Sequence, residues 1–243
     1  MTSVHQTVAR RDELSSNLQL VHERIASACR AAGRSRDDVA LIVVTKFFPG
    51  SDIEVLSQLG VTDIGENRDQ EASAKIAALP SEVRQRLQVH FIGQLQSNKA
   101  ASLASYVDTV HSIDRDKLVR ALDRAAAAAG RVLGALVQVS LSGDSPGQGR
   151  GGIAADGVAE LANSVAVAQH LTLRGVMAVA PLGVDPAEAF AQLAIVARAV
   201  RADHPAATWI SAGMSSDLEA AVTNGATHLR VGSAILGSRP PFG

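Results

Sequence analysis

A lysine stands at the end of an apolar run early in the chain. The segment "VALIVVTKFFPG", residues 39–50, is apolar up to Thr45 and Lys46 and is then broken by Pro49 and Gly50. A lysine amine at the end of a buried strand gives up its proton more readily than one in water, and the free amine attacks aldehydes. The alternative is an ordinary lysine whose stem leaves the core while its ammonium reaches water. The sequence therefore predicts either a Schiff-base lysine or a snorkelling lysine at position 46.

Two segments late in the chain are candidates for binding an anion. The first, "ISAGMSSDLEAAV", runs from a strand through Gly213 into a helix, with Ser216 and Glu219 at capping-box spacing. The second, "LRVGSAILG", is a strand followed by Gly232 and Ser233. Small residues at such turns let backbone N–H groups approach a phosphate. Neither segment is a Walker or a dinucleotide-binding fingerprint, so each alone is a weak signal.

Short β-rich runs alternate with helical stretches along the rest of the chain. The runs are "VALIVVTK", "VTDIGEN", "VHFIG", "TVHSID", "GALVQVSL", "LTLRGVMAVA", "TWISAGM" and "THLRVGSAIL". Apolar strands alternating with helices indicate a parallel sheet, and about eight units in 243 residues favour a closed (β/α)8 barrel. No linker-like segment divides the chain, so we predict one domain over residues 1–243.

A further helix is predicted in front of the barrel, over about residues 11–33. Its apolar positions recur every three or four residues, and Gly33 is a suitable terminator. The stripe comprises Leu14, Leu18, Val21, Ile25, Ala28 and Cys29. Cys29 is the only cysteine, which excludes a disulfide framework and a thiolate-rich metal site. We interpret it as a small core residue.

The composition excludes several classes of partner. The net charge is -1, the sequence pI is about 6.7, and hydrophobic residues make up 47% of the chain. This balance gives no electrostatic reason to expect nucleic acid or an anionic membrane surface. The polar start lacks the apolar core of a signal peptide, and no uncharged apolar segment has the length of a membrane span. We therefore expect a cytoplasmic protein.

The closed barrel would bring the lysine and the two anion candidates together. Functional groups collect at the carboxyl ends of barrel strands, and barrels often hold a phosphate after the seventh and eighth strands. In a closed barrel the last strand is a neighbour of the first. A ligand with both an aldehyde and a phosphate would bridge Lys46 and the turns at Gly213 and Gly232, and pyridoxal 5′-phosphate is such a ligand.

These segments resemble those of the pyridoxal phosphate homeostasis proteins, also called proline synthetase co-transcribed homologues. The similar pieces cover the chain from about residue 39 to residue 239, in family order, and the longest are very specific. They are "VVTKFFP", "IGENRDQEA", "VHFIGQLQSNKA", "VHSID", "LRGVMAVAP" and "SAGMSSDLEAAVTNGATHLRVGSAILGSR". The sequence departs from the family pattern at Phe47, at Arg68 and Asp69, and at Val89, which changes the expected wall and rim of the pocket.

The resemblance implies a barrel similar to the N-terminal domain of alanine racemase, with pyridoxal 5′-phosphate as its cofactor. Lys46 would form the internal aldimine, Arg230 would face the pyridine nitrogen, and no metal is expected. The remaining positions carried over are Ser211, Met214, Ser215, Gly232 and Ser233 around the phosphate, and Asn67 and His90 on the ring side of the pocket.

The chemistry of Arg230 separates a carrier from an enzyme. A guanidinium stays protonated, so Arg230 would leave the pyridine nitrogen unprotonated and the cofactor a weak electron sink. Racemases that resemble this barrel add a tyrosine base from a second domain, whereas the only tyrosine here is Tyr106, predicted to lie away from the strand-end site. We expect a non-catalytic carrier that supplies vitamin B6 cofactor to pyridoxal phosphate-dependent apoenzymes, and a monomer, since no second domain is needed to complete the pocket.

Two enzymatic alternatives remain open from the sequence. The first is a weak amino-acid racemase or another amino-acid transformation, in which His90 or His111 replaces the missing base. The second is a sugar-phosphate enzyme with an aldolase-like Schiff base on Lys46. The glycine-rich segment "GDSPGQGRGG", residues 143–152, follows a strand and is interpreted either as an active-site flap or as a plain mobile loop.

Overall fold

Eight parallel strands close into a barrel in the computed structural model, which describes residues 2–141 and 151–238. Each strand pairs with the next, and the first pairs with the last, from Ala40 opposite His228 to Val43 opposite Val231. The strands are β1 (Ala40–Val44), β2 (Asp63–Glu66), β3 (Gln88–Phe91), β4 (Thr109–Ile113), β5 (Leu133–Gln138), β6 (Leu171–Met177), β7 (Trp209–Ser211) and β8 (His228–Val231). The predicted (β/α)8 barrel is confirmed, and the assignment of residues 1–243 to one domain stays a prediction.

Helices surround the barrel and cover the outward faces of its strands. In the described residues they are α1 (Thr2–Ala31), α2 (Gly50–Gln58), α3 (Asp69–Ala77), α4 (Ser81–Arg84), α5 (Ala100–Tyr106), α6 (Asp116–Ala128), α7 (Val158–Val167), α8 (Pro186–Asp203), α9 (Leu218–Thr223) and α10 (Ser233–Leu236). The core between strands and helices is built mainly of Val, Leu, Ile and Ala, as expected for a chain with 3% aromatic residues.

The predicted N-terminal helix is present, and it begins earlier than the apolar stripe alone indicates. The predicted stripe is buried, including Leu14, Ile25 and Cys29. Helix α1 ends where Gly33 adopts φ +64 and Arg34 N–H donates to the Cys29 carbonyl oxygen at 2.9 Å. The helix packs against α9 and α10, which follow the last two strands.

The interior of the barrel contains a set of buried polar side chains. His90 lies on β3, His111 on β4, Ser211 on β7 and Arg230 on β8, and each is at most 4% exposed. His111 Nδ1 lies 2.9 Å from Ser211 Oγ, and their strands are not neighbours, so this contact crosses the barrel. The inward faces of the strands therefore hold a polar network, while the apolar core lies outside the sheet.

No helix in the described part of the chain is long and apolar enough to cross a membrane. The same residues contain no group of three or more His, Cys, Asp or Glu side chains that could hold a metal ion. The glycine-rich segment at 143–152 lies outside the described residues except for Gly151 and Gly152.

Candidate functional site

A cavity of about 420 Å³ opens at the carboxyl ends of the strands. It is lined by Val44, Lys46, Ile92, Met214, Ser215, Ser216, Arg230, Gly232 and Ser233. Six of the nine residues predicted to form the site line it together; Asn67, His90 and Ser211 do not. Strand-end reasoning missed Val44 and Ile92, which are apolar and carry no chemical signal, and treated Ser216 only as a capping residue.

Lys46 is presented by a tight turn after β1. Phe48 N–H donates to the Thr45 carbonyl oxygen at 3.1 Å, and Phe47 adopts φ +69, a conformation that costs energy for a residue with a side chain. Phe47 N–H donates to Glu71 Oε1 at 2.7 Å, which holds the turn in place. The Lys46 amine lies 5.8 Å from the centre of the Phe47 ring. The turn thus places Lys46 on the wall of the cavity.

A second lysine, Lys75 on α3, holds this turn in place from the helix layer. Its Nζ donates to the carbonyl oxygens of Thr45 at 2.9 Å and Phe48 at 3.0 Å, and lies 2.7 Å from Glu66 Oε1. Burial raises the pKa of Glu66 although Lys75 and the Thr45 hydroxyl favour its ionised form. Sequence reasoning missed Lys75, because a lysine within an amphipathic helix gives no sign of facing inward.

The turn after β7 forms one side of an anion cradle. Gly213 adopts φ +91, and a Cβ there would lie 2.6 Å from Ala221 Cβ, so only glycine fits. Helix α9 starts at Leu218 with Asp217 at its N-cap, and the Asp217 carboxylate accepts from Met214 N–H at 2.5 Å. The predicted capping box between Ser216 and Glu219 is therefore wrong: Glu219 instead binds Arg24, at 2.9 Å.

The turn after β8 forms the other side of the cradle. Ser215 Oγ accepts from Ala234 N–H at 3.4 Å and lies 3.3 Å from Ser233 Oγ, which joins the two turns. A Cβ on Gly232 would come within 3.2 Å of the Val44 carbonyl oxygen. Within the described ranges, no hydrogen-bond acceptor contacts the backbone N–H groups of Ser215, Ser216 and Ser233. The two turns thus offer free donors suited to a phosphate.

Arg230 forms the floor of the cavity and is 4% exposed. Its Nη1 donates to Ser211 Oγ at 2.7 Å and its Nη2 to the Ala178 carbonyl oxygen at 2.9 Å. Burial lowers the pKa of Arg230 to about 10, so the guanidinium remains a cation at neutral pH. Arg230 therefore supplies a fixed positive group that can donate hydrogen bonds and cannot accept them.

Ser211 and His90 lie beneath Arg230 instead of on the cavity wall. Ser211 is fully buried, and its hydroxyl contacts Arg230 and His111, not the cradle. His90 bonds Asp63 and His111 through its two ring nitrogens, at 2.9 Å each. The sequence resemblance predicts Ser211 beside the phosphate and His90 on the ring side of the pocket. The structure places neither side chain on the cavity wall. His90 lies within β3 and not after it, a depth that alternation along a strand does not reveal.

Asn67 lies in a neighbouring cavity of about 550 Å³, between the loops after β2 and β3. Its Oδ1 is buried and has no hydrogen-bond partner within the described ranges. The other lining residues are Arg68, Asp69, Gln70, Glu71, Phe91, Gln94, Leu95, Gln96 and Lys99. Phe91 lines this cavity and Ile92 lines the Lys46 cavity, so both cavities border the end of β3.

Tyr106 does not line the Lys46 cavity. Its hydroxyl lies 3.3 Å from Asp69 Oδ1, and burial together with the Asp69 charge raises the pKa of Tyr106 well above its ordinary value. His111 is fully buried, and burial holds the pKa of this imidazole well below its ordinary value. Neither side chain is placed to exchange a proton with a ligand beside Lys46.

Fold and site together define a class of protein. It is a parallel (β/α)8 barrel that carries a lysine in a cavity at the carboxyl ends of its strands. The family model described as alanine racemase, N-terminal domain, matches residues 12–240. The chain belongs to this family, and the resemblance inferred from the sequence is confirmed.

Several known proteins are similar in sequence to this chain over most of its length. It is 43% identical to a pyridoxal phosphate homeostasis protein of Mycobacterium tuberculosis, over 95% of this chain and 94% of that protein. It is 35% identical to the protein of the same name in Escherichia coli, over 94% and 97%. The structure of PipY of Synechococcus elongatus with pyridoxal phosphate bound superposes with a TM-score of 0.74, at 35% identity, over 88% of this chain and 100% of that one.

Proposed function

We infer that this chain binds pyridoxal 5′-phosphate in the Lys46 cavity, covalently through the Lys46 amine, and serves the homeostasis of this cofactor in the cytoplasm. The observation that carries this proposal is that Lys46, Arg230 and the two small-residue turns line one cavity. The names of the relatives and the pyridoxal phosphate bound to PipY support it.

The cavity suits each end of the cofactor. Its volume, about 420 Å³, lies in the range of small-ligand pockets. The free N–H groups of Ser215, Ser216 and Ser233 can bind the phosphate, with Met214 and Gly232 shaping the space around it. When bound, the cofactor supplies an aldehyde that reacts reversibly with amines, and Lys46 is the amine on this cavity wall.

Arg230 determines how strongly the cofactor could withdraw electrons. Its guanidinium can donate to the pyridine nitrogen but cannot give it a proton, because burial lowers its pKa only to about 10. An unprotonated pyridine stabilises a carbanion poorly. The site therefore favours binding of the cofactor over catalysis that passes through a carbanion.

The wall of the cavity supports a carrier without catalytic activity of its own. Of the described residues that line it, only Lys46 and Arg230 are titratable. A racemase needs a second acid–base group on the opposite face of the substrate. Tyr106, His90 and His111 all contact other residues and lie outside the wall. Transfer to apoenzymes, and function as a monomer, are parts of this proposal.

The predicted residues outside the wall receive indirect roles. Asn67, which lines the neighbouring cavity, would contact the ring side of the cofactor. Ser211 and His90 would act through Arg230, since Ser211 accepts its hydrogen bond and His90 lies further along the same network.

A labelling experiment tests the covalent link. The purified protein is mixed with pyridoxal 5′-phosphate, the visible absorbance of the complex is recorded, and borohydride is added before peptide mapping. We expect the reduced label on the peptide that contains Lys46, and none after Lys46→Ala. Lys99→Ala is the matched control, because Lys99 lines the neighbouring cavity and should not alter labelling. A label on any other lysine, or none, would contradict the proposal.

A second experiment separates a carrier from an enzyme. The loaded protein is incubated in deuterated water with L-alanine and a panel of other amino acids, and α-deuterium is measured by NMR. We expect exchange no faster than free pyridoxal 5′-phosphate supports. In a parallel sample, a pyridoxal phosphate-dependent apoenzyme should gain activity as the loaded protein loses its absorbance. Fast α-exchange would instead favour a weak racemase, and a protein that never loads would favour a sugar-phosphate enzyme.

A further inference from the structure

A continuous chain of polar side chains runs through the barrel from its N-terminal mouth to the Lys46 cavity. Its members are Asp63, His90, His111, Ser211 and Arg230. Asp63 Oδ1 lies 2.9 Å from His90 Nε2, and His90 Nδ1 lies 2.9 Å from His111 Nε2. His111 Nδ1 lies 2.9 Å from Ser211 Oγ, which accepts from Arg230 Nη1 at 2.7 Å. Every link has the length of a hydrogen bond.

The two ends of this chain face opposite mouths of the barrel. Arg230 lines the Lys46 cavity, whereas Asp63 lines a separate cavity of about 480 Å³ at the N-terminal ends of the strands. The side chain of Asp63 is 25% exposed, while those between the two ends are at most 1% exposed. The chain of hydrogen-bonded side chains therefore connects solvent at the N-terminal mouth with the floor of the Lys46 cavity.

One assignment of protons that satisfies every link leaves both imidazoles neutral. A guanidinium only donates, so Ser211 accepts from Arg230 and its own proton is free for His111 Nδ1. His111 then carries its proton on Nε2 and donates to His90 Nδ1, and His90 donates from Nε2 to Asp63. Burial holds the pKa of His111 well below its ordinary value, so His111 is neutral at pH 7. The chain thus starts at a buried cation and ends at a carboxylate.

Asp63 is an anion in this arrangement, and the cavity it lines also contains the cation Arg174, whose guanidinium lies 5.5 Å from the centre of the Trp209 ring. Burial opposes its ionisation, but hydrogen bonds from His90 and Thr62 outweigh this, so the pKa of Asp63 lies below its ordinary value. His228 lies at the same mouth, and burial lowers its pKa to about 4, which leaves it neutral. Asp108, in the same cavity, is paired with Arg84 and Arg131.

We propose that Asp63, His90 and His111 are positioning residues for Arg230, and that they tie the protonation of a ligand's ring nitrogen in the Lys46 cavity to a carboxylate at the opposite mouth. A hydroxyl that donates into a chain ending in an anion becomes a stronger acceptor. Ser211 therefore holds Arg230 more firmly than an isolated serine would, and the guanidinium stays aimed at the ring. This inference rests on the proposed function, since the ring nitrogen belongs to pyridoxal 5′-phosphate.

The first test needs no cofactor. Protein with ¹⁵N-labelled histidine is studied by NMR at pH 7, and the resonances of His90 and His111 are identified from the single variants His90→Gln and His111→Gln. We expect both rings to be neutral and protonated on Nε2. A proton on Nδ1 of either ring, or an imidazolium, would overturn the proposed direction of the chain.

The second test reads the ring nitrogen directly. Wild type, Asp63→Asn and Asp108→Asn are loaded with cofactor labelled with ¹⁵N in its pyridine ring. Asp63→Asn removes the terminal charge and keeps the side-chain shape. We expect its pyridine resonance to move toward that of a protonated pyridine, and its affinity to fall about threefold to tenfold, the effect of weakening one hydrogen bond. Asp108→Asn should match wild type in both readouts. His90→Gln replaces Asp63→Asn if the latter does not fold.

The outcomes distinguish this role from the proposed function. If wild type and Asp63→Asn both load and show the same pyridine resonance, the positioning role is wrong and the proposed function stands. If wild type does not load at all, the proposed function fails and the role toward the ligand fails with it. An equal shift in Asp108→Asn would also overturn the role, because it would reflect general disturbance of that mouth.

Discussion

The amine of Lys75 lies 2.9 Å from the carbonyl oxygen of Thr45, the residue that precedes the candidate ligand-binding lysine. The two lysines thus have different tasks: Lys46 faces the cavity, and Lys75 is 7% exposed and holds the turn from the helix layer. Its partner Glu66 is 1% exposed in its side chain, so this ion pair is shielded from solvent.

We expect Lys75→Met to destabilise the protein by about 3–5 kcal/mol, the usual cost of leaving one member of a buried ion pair without its partner. The free energy of unfolding in urea measures this loss. Because the turn at Thr45 and Phe48 loses two hydrogen bonds, cofactor loading of Lys46 should also fall.

The double variant Lys75→Met with Glu66→Gln is the control for that prediction. It leaves no buried charge, and glutamine can still accept from the Thr45 hydroxyl, which now lies 2.6 Å from Glu66 Oε1. We expect it to regain at least half of the stability lost in the single variant. A double variant as unstable as the single one would show that the turn contacts dominate, and not the unpaired charge.

Adding a single methyl group at Gly213 should lower the stability of the protein strongly. An alanine there must adopt φ +91 and would place its Cβ 2.6 Å from Ala221 Cβ and 2.8 Å from Leu229 Cδ2. Gly183→Ala is the matched control, because Gly183 has φ +78 but a Cβ there would meet nothing within 4 Å. We expect Gly213→Ala to cost about 1–3 kcal/mol more than the control in thermal or urea unfolding, and to weaken cofactor binding. Equal losses would mean that backbone strain alone matters.

The strand pattern was sufficient to predict the barrel, because each of the eight β-rich runs overlaps an observed strand. It also placed Lys46, Arg230 and Gly232 at one rim, since the carboxyl ends of parallel strands share an edge. The start of the N-terminal helix was predicted too late, at about residue 11 instead of Thr2, because the apolar stripe begins only at Leu14. The contacts of Arg10 with Asp52 and the Leu236 carbonyl oxygen depend on tertiary structure.

The depth of residues inside the barrel could not be predicted in the same way. Alternation along a strand tells which face a side chain takes, but not how far it lies from the rim. His90 and Ser211 therefore resembled wall residues in the sequence, and the structure places them below Arg230. The role of Lys75 was hidden for a related reason, since its partners come from β2 and from the turn between β1 and α2.

The N-terminal helix should contribute to the anion cradle through Arg24. Its guanidinium donates to the Ser215 carbonyl oxygen at 3.1 and 3.2 Å and also pairs with Glu219. We expect Arg24→Met to weaken phosphate and cofactor binding about threefold to tenfold, because the turn that carries Ser215 loses its support. Glu219→Gln keeps the contact with Ser215 and should bind like wild type. Isothermal titration with both ligands measures the difference, and equal affinities in Arg24→Met and wild type would exclude this support.

Stability should fall with acidification between pH 6.5 and about 4, in part because of His228. Burial lowers the folded-state pKa of His228 from 6.5 to about 4, so the unfolded chain takes up this proton first as the pH falls. A pKa difference of this size corresponds to about 3 kcal/mol lost across that window. His111 acts in the same direction, while the raised pKa of Glu66 acts against both, since the folded protein binds that proton first. Urea unfolding of wild type and His228→Gln at pH 7.5, 6 and 4.5 isolates the contribution of His228. We expect a shallower pH slope in the variant, and parallel slopes would show that His228 titrates normally in the folded protein.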